Sequence, residues 1–165
     1  MKKNKFKAYS VFYAALLMIL ACDQITKYLA DTRLIDKVIT VMPMYIFLSH
    51  TQNTGAAWSM FQGNGLLLGI IGIFVLIMVF VFRRHLGIKQ RCNQAIYGMI
   101  CAGILGNAVD RLLYGHVVDF INVRLGSYYW PMFNIADASI CCGVFLCFLF
   151  SFAQRNRGDP KIIFY

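Results

Sequence analysis

The stretch Leu66-Leu67-Leu68-Gly69-Ile70-Ile71-Gly72-Ile73-Phe74-Val75-Leu76-Ile77-Met78-Val79-Phe80-Val81-Phe82 carries no charged or amide side chain. An α-helix rises about 1.5 Å per residue and must cross roughly 30 Å of hydrocarbon, so about 17–25 such residues make a membrane span. The run does not alternate polar with apolar, as a strand of a membrane β-barrel would. Three other stretches have the same character. The first, about Ala8 to Ala30, is interrupted by Asp23 and Lys27. Another, about Cys92 to Tyr114, carries Asp110 and Arg111 near its end, and the last, about Met132 to Phe152, carries Asp137 near its start. The reading is an all-α membrane protein. It has four transmembrane helices (about 8–30, 66–82, 92–114 and 132–152) in one integral membrane domain over 1–165, with outer segments at about 31–64 and 115–131.

Composition agrees. Hydrophobic residues make up 59% of the chain and charged residues 14%, against about 45–50% and 25% in soluble domains. The net charge of +9 is a matter of topology. Lys2, Lys3, Lys5, Lys7, Arg83, Arg84, Lys89, Arg91, Arg155, Arg157 and Lys161 all fall on one side of a four-span arrangement. Positive charge gathers on the cytoplasmic side, so both termini are expected there. Little basic surface is left over, and no nucleic-acid partner is expected. Contact with anionic membrane lipid is expected instead.

The cysteines form no CxxC pair, and most lie within the apolar runs. They read as small apolar packing residues rather than as disulfides or a metal site. Ile19-Leu20-Ala21-Cys22 has the outline of a lipoprotein signal sequence. Leu20 is too large for that pattern and three more spans follow, so residues 1–30 read as a retained helix.

Both outer segments contain strand-like pieces: Val38–Val41, Met44–Leu48 and Val117–Val123. They suggest a small extracytoplasmic β platform on the helix bundle. Thr51–Gly55 reads as a polar turn, and Ala56–Phe61 as a short amphipathic helix on the lipid surface. Tyr128, Tyr129 and Trp130 are placed to mark the interface.

Ionisable groups within apolar spans cost roughly 2.5–3.5 kcal/mol each near a helix centre, so they call for a reason. Gly103, Asn107, Asp110 and Arg111 recur at helical spacing on one face. Gly98, Ala102 and Gly106 form a small-residue stripe for close helix packing. Asp110 and Arg111 read as structural ions pairing with groups such as Lys27 or Asp23. Asp23 and Lys27, at i and i+4, read as a supporting ion pair. Asn134 and Asp137 share the start of the fourth span, and Asp119 arrives from the loop before it. Two carboxylates brought together cannot both ionise easily, and one retains a proton. Such a pair can polarise a carbonyl and activate a water, which is peptide hydrolysis without a metal or covalent intermediate. Spacing alone leaves Asp119 two other uses, capping a turn or pairing with Arg124. No HExxH spacing and no Gly-x-Ser-x-Gly elbow around Ser59 compete with this reading. His50 and His116 read as ordinary polar loop residues. Charges that cluster at the outer edge, with none at the midplane, argue against a transporter.

Five blocks in order resemble the lipoprotein signal peptidases (signal peptidase II). They are Asp23-Gln24-x-x-Lys27, Asn53-x-Gly55-Ala56-Ala57-x-Ser59, Gly106-Asn107-x-x-Asp110-Arg111, Gly115-x-Val117-x-Asp119-Phe120 and Phe133-Asn134-x-Ala136-Asp137. The resemblance implies an aspartic intramembrane protease of the bacterial cytoplasmic membrane, with Asp119 and Asp137 as its catalytic pair. It implies binding or supporting roles for Asn53, Gly55, Asn107, Asp110, Arg111, Asn134, Ala136, Asp23 and Lys27. The implied substrate is a lipid-modified prolipoprotein, cleaved on the N-terminal side of its diacylglyceryl-Cys at the extracytoplasmic face. No metal or cofactor is implied, the chain is expected to act as a monomer, and the loop around Trp58 is a candidate cover.

Overall fold

The computed structural model describes residues 8–56, 60–88 and 90–156. Four helices are long and apolar enough to cross a membrane. They are α1 (Ser10–Arg33), α2 (Gly65–Phe82), α3 (Arg91–Tyr114) and α4 (Ile135–Asn156). Between them lie β1 (Ile39–Met42), β2 (Ile46–Asn53), β3 (Val117–Leu125) and β4 (Tyr128–Tyr129). The strands form one antiparallel sheet in the order β1-β2-β3-β4. This is the four-helix membrane protein with a small sheet that hydropathy predicts.

Helix α3 is the hub, packing against each of the other three helices. Its small residues make this possible. A Cβ on Gly98 would stand 2.8 Å from the Phe12 carbonyl oxygen, and one on Gly106 would stand 2.5 Å from Asp23 Oδ2. Ala102, between them on the stripe, is fully buried. Such close approach lets backbones pack in a solvent where apolar side chains gain little by avoiding lipid. The outer faces of α2 and α4 expose Leu66, Ile70, Phe74, Ile77, Phe145 and Phe148, the surface that acyl chains cover.

Helix α3 ends at Gly115, whose φ of 77° suits a residue without Cβ. The chain then turns directly into β3. The sheet is fastened to the bundle by a cluster of Ala30, Leu34 and Phe120, with Leu48, Val118, Ile121 and Ile135 packed around it. An isolated bridge joins Ile121 to Phe133, with N–H to O distances of 2.9 and 3.1 Å. That bridge delivers the start of α4 beside the start of β3.

Two local expectations change. Thr51–Gly55 is not wholly a turn, because β2 continues to Asn53. Thr51 pairs with Asp119 and Asn53 with Val117, so the strand's backbone groups find partners that a turn would leave open. Of the cysteines, all of them free, Cys101 is buried, while Cys22, Cys92, Cys141 and Cys142 are exposed, so packing explains only part of the set. The amphipathic helix expected at 56–61 and the cover expected around Trp58 fall largely on 57–59, outside the described residues.

Candidate active site

Asp119 is the third residue of β3, and it is buried. Two amide side chains hold it. Asn53 Nδ2, from the last residue of β2, donates to Asp119 Oδ2 at 2.9 Å. Asn134 Nδ2 donates to Asp119 Oδ1 at 2.7 Å. Asn134 immediately precedes α4, where the first backbone N–H groups have no partner within the helix. Its Oδ1 accepts from the Asp137 N–H at 2.9 Å. Asp137 Oδ2 accepts in return from the Asn134 N–H at 3.2 Å. This reciprocal pair is a capping box built from Asn and Asp. The remaining oxygen, Asp137 Oδ1, accepts from Asn107 Nδ2 of α3 at 2.7 Å. Asn134 therefore touches both carboxyl groups, and each carboxyl is fixed from two sides.

Both acids open onto one cavity of about 380 Å3. Asn53, Arg111, Asp119 and Asp137 form its polar end, while Trp130, Pro131, Met132, Phe133 and Ile140 form apolar wall. Burial pushes the Asp119 carboxyl up to about 6. The hydrogen bond from Asn53 works against that rise, and the neighbouring Asp137 adds to it.

Behind the cavity lies a buried ion cluster. Lys27 Nζ reaches Asp23 Oδ2 at 2.8 Å and Asp110 Oδ2 at 2.6 Å. It also donates to Asn107 Oδ1 at 2.9 Å. Asp23 Oδ1 accepts from the Ala136 N–H at 2.8 Å, so a carboxylate from α1 caps the second residue of α4. Negative charge is favourable at that end of a helix. Gln24 Nε2 donates to Asp110 Oδ1 at 3.0 Å. A lone buried charge would be costly, and the shared cation and these hydrogen bonds offset that cost. Arg111 points elsewhere, its Nη2 donating to the Gly55 carbonyl at 2.8 Å. The Gly55 N–H in turn donates to Asn53 Oδ1 at 2.9 Å. This linkage ties the loop after β2 to α3 and orients the amide that holds Asp119.

The sequence-predicted residues are thus sorted by position. Asn53, Arg111, Asp119 and Asp137 line the cavity, with Asn107 and Asn134 directly behind the acids. Asp23, Lys27 and Asp110 form the buried cluster, while Gly55 and Ala136 contribute backbone groups. Of the face expected for Gly103, Asn107, Asp110 and Arg111, Gly103 and Asn107 meet α4 and Asn107 and Asp110 both meet Lys27, while Arg111 turns to Gly55. Asp119 makes no pair with Arg124, whose Nε donates to the Gly126 carbonyl at 2.8 Å. His50 Nε2 lies 2.9 Å from Asp31 Oδ1 on the surface. Sequence reasoning gave no role to Gln24 or to the walls Pro131, Met132 and Ile140. The run Trp130–Phe133 just before Asn134 was the available signal for the walls.

In chemical terms the site offers two carboxyl groups, rigidly held, with an apolar groove beside them. One of them, Asp119, is raised by burial to about 6 and so holds its proton into mildly acidic solution. This is an arrangement for general acid–base work on a polar bond presented from lipid.

Comparisons with known proteins give the family. A family model described as signal peptidase (SPase) II matches residues 15–153. A protein named lipoprotein signal peptidase from Thermodesulfovibrio yellowstonii is 41% identical over 135 residues, covering 80% of this chain and 88% of that protein. One of the same name from Listeria monocytogenes is 33% identical over 148 residues, covering 88% and 96%. A solved structure described as a bacterial membrane enzyme, determined by the in meso method, superposes with a TM-score of 0.83 at 31% identity, covering 93% of this chain and 94% of that one. A second with that description gives 0.76 at 33% identity, covering 85% and 91%. With the family match spanning most of its length, the chain belongs to the signal peptidase II family and is a multi-pass bacterial membrane peptidase.

Proposed function

We propose that this protein is an aspartic endopeptidase that removes the signal peptide from lipoprotein precursors. It cuts on the N-terminal side of a Cys already bearing a diacylglyceryl group. The observation that carries this reading is the contact of Asn134 with both Asp119 and Asp137 at the polar end of one cavity. Two acids fastened to the same residue share a site, and one shared proton suits the pair.

In the proposed reaction Asp119 starts protonated and Asp137 ionised. A water between the acids attacks the scissile carbonyl carbon. Its proton passes to Asp137 while the Asp119 proton moves to the carbonyl oxygen, giving a gem-diol. In the second half a gem-diol hydroxyl returns its proton to Asp119. Asp137 gives its proton to the amide nitrogen, and the C–N bond breaks. Both acids end as they began. Asn53, Asn107 and Asn134 position the carboxyls, and Arg111 with Gly55 positions Asn53. Asp23, Lys27 and Asp110 brace α1, α3 and α4 around them.

The substrate is itself anchored in lipid, and the apolar walls beside the acids suit a lipid-bearing residue. By the distribution of basic residues, both termini face the cytoplasm and the site opens at the outer face of the inner membrane. A single chain supplies every group in the scheme, so a monomer suffices. The test is turnover of a diacylglyceryl-modified precursor by Asp119→Asn and Asp137→Asn. Both variants should lose cleavage, and normal turnover by either removes the mechanism.

A further inference from the structure

The β1–β2 hairpin is apolar where a hairpin in water would be polar. An antiparallel strand with one face on a core alternates inward apolar with outward polar residues. β1 does not, since Ile39, Thr40, Val41 and Met42 are all exposed. Ile35, Val38, Met44 and Tyr45 around it are exposed as well. Among the described residues only β2 pairs with this strand. A contiguous apolar patch of this kind marks an interaction surface.

The turn supplies an independent observation. The Tyr45 N–H donates to the Met42 carbonyl at 3.1 Å, leaving Pro43 and Met44 as the central residues. Met44 has φ of 70°, at the position where a type II turn favours Gly or Asn. It is also 70% exposed. A strained backbone that displays a thioether to water gains nothing, whereas one that delivers it to an apolar phase does.

What that phase is follows from the hairpin's neighbours. It leaves α1 directly after Arg33, at the end of a membrane span. Arg33 and Lys37 are exposed beside the equally exposed Asp31 and Asp36, so the connection is near neutral and charged side chains suited to the headgroups flank the apolar hairpin. Across the sheet Tyr128, Tyr129 and Trp130 are exposed too, the residue types that gather where lipid meets water. The outer edge of β1 has unpaired backbone groups, which hydrocarbon would not tolerate. The depth is therefore interfacial, with side chains directed toward the acyl chains and the backbone edge left at the headgroups.

We propose that the β1–β2 hairpin is an interfacial membrane anchor, seating Val38–Tyr45 in the leaflet that meets the end of α1. The anchor lies at the end of the sheet remote from the acids, where Ile46 pairs with Val123, while Asn53 pairs with Val117 at the other end. It fixes the depth and tilt of the strands that carry Asn53 and Asp119. The inference needs the spans alone, not the hydrolytic reading.

The test uses the whole chain in vesicles of phosphatidylethanolamine and phosphatidylglycerol containing a phospholipid with a diazirine on its acyl chain. After irradiation, adducts are mapped by mass spectrometry, with the α2 surface as internal reference. The expected result is adducts within 38–45 as well as on α2. In a Val41→Asp, Met44→Asp variant the hairpin adducts should fall severalfold while α2 labelling is unchanged, which also reports an intact bundle. An unlabelled hairpin beside a labelled α2 overturns the proposal. So does a bifunctional cross-linker that captures a second copy or another protein through the hairpin in the absence of lipid adducts. Because labelling does not read cleavage, its failure and a failure of the peptidase mechanism are separable.

Discussion

Asn134 and Asp137 cap one another at the start of α4, the Asn134 side chain accepting the Asp137 N–H at 2.9 Å and the Asp137 carboxylate accepting the Asn134 N–H at 3.2 Å. The group proposed to activate water is thus also part of a helix terminus. Its geometry is set by backbone bonds rather than by a free rotamer.

The two roles can be separated by substitution. Asp137→Asn keeps an oxygen that can accept the Asn134 N–H, so the cap survives while the base is lost. Asp137→Ala removes both, and loss of a cap costs about 0.5–2 kcal/mol. Activity should vanish in both variants, and thermal unfolding in matched detergent should show a lower midpoint for the Ala variant alone. Equal midpoints would mean that the cap adds nothing to stability.

Asp119 should oppose stability at neutral pH. Its carboxyl lies near 6 in the fold against about 3.9 in an unfolded chain. Between those values the folded state holds more protons, so stability falls as pH rises through that window and stays reduced above it. Asp119→Asn removes the charge and should gain on the order of 1–3 kcal/mol at pH 7, fading below about pH 4. Chemical denaturation at the two pH values would show whether an inactive variant outlasts the active protein as expected.

The hydrogen bond from Asn53 favours the ionised form of Asp119, and its loss should raise the carboxyl further. The scheme needs Asp119 protonated at the outset. The kcat/KM profile should therefore decline on its alkaline side from about pH 6, and Asn53→Ala should move that limb upward. An unchanged limb, whatever the loss in rate, would show that Asp119 is not the acid that titrates.

Hydropathy made the four helices plain, because Leu66–Phe82 has no other use than burial in lipid. Asp119 and Asp137 stood out as acids at the edge of apolar segments, but spacing alone left Asp119 free to cap a turn or pair with Arg124, and only the family resemblance joined the two. What spacing could not reveal was contact across distant segments. Asp23 caps Ala136 at a separation of 113 residues, a bond that no local pattern encodes. Periodicity grouped Asp110 with Asn107, and both do meet Lys27, but nothing in the spacing named that lysine as their common partner. The first three residues of the turn expected at Thr51–Gly55 became strand because β3 lay alongside them.

Lys27 is the one cation bonded to both Asp23 and Asp110 among the described residues. Lys27→Met keeps the stem's bulk but leaves two buried carboxylates facing each other. Removing one partner of a buried ion pair costs about 3–5 kcal/mol. The variant should unfold at markedly lower temperature, and Lys27→Met with Asp110→Asn should recover part of the loss. If the double variant is no better than the single, the two acids do not share the lysine's charge as the distances imply.

Gly103 tests how tightly the acids must be placed. Alanine is ordinarily the better helix residue by about 1 kcal/mol. Here its Cβ would collide with the Ala136 carbonyl oxygen and stand 2.5 Å from Ser139 Oγ. To accommodate it, α4 must withdraw from α3. That movement parts Asn107 from Asp137 across their 2.7 Å bond, and the water site widens with it. A displacement near 1 Å in a catalytic group can cost about 100-fold in rate. Gly103→Ala should therefore lose kcat far more than substrate affinity, although it touches neither acid. Ser139→Ala, on the same interface but removing atoms rather than adding them, should leave kcat close to that of the parent protein. A Gly103→Ala enzyme with undiminished kcat would mean that the α3–α4 spacing does not set the separation of the two carboxyl groups.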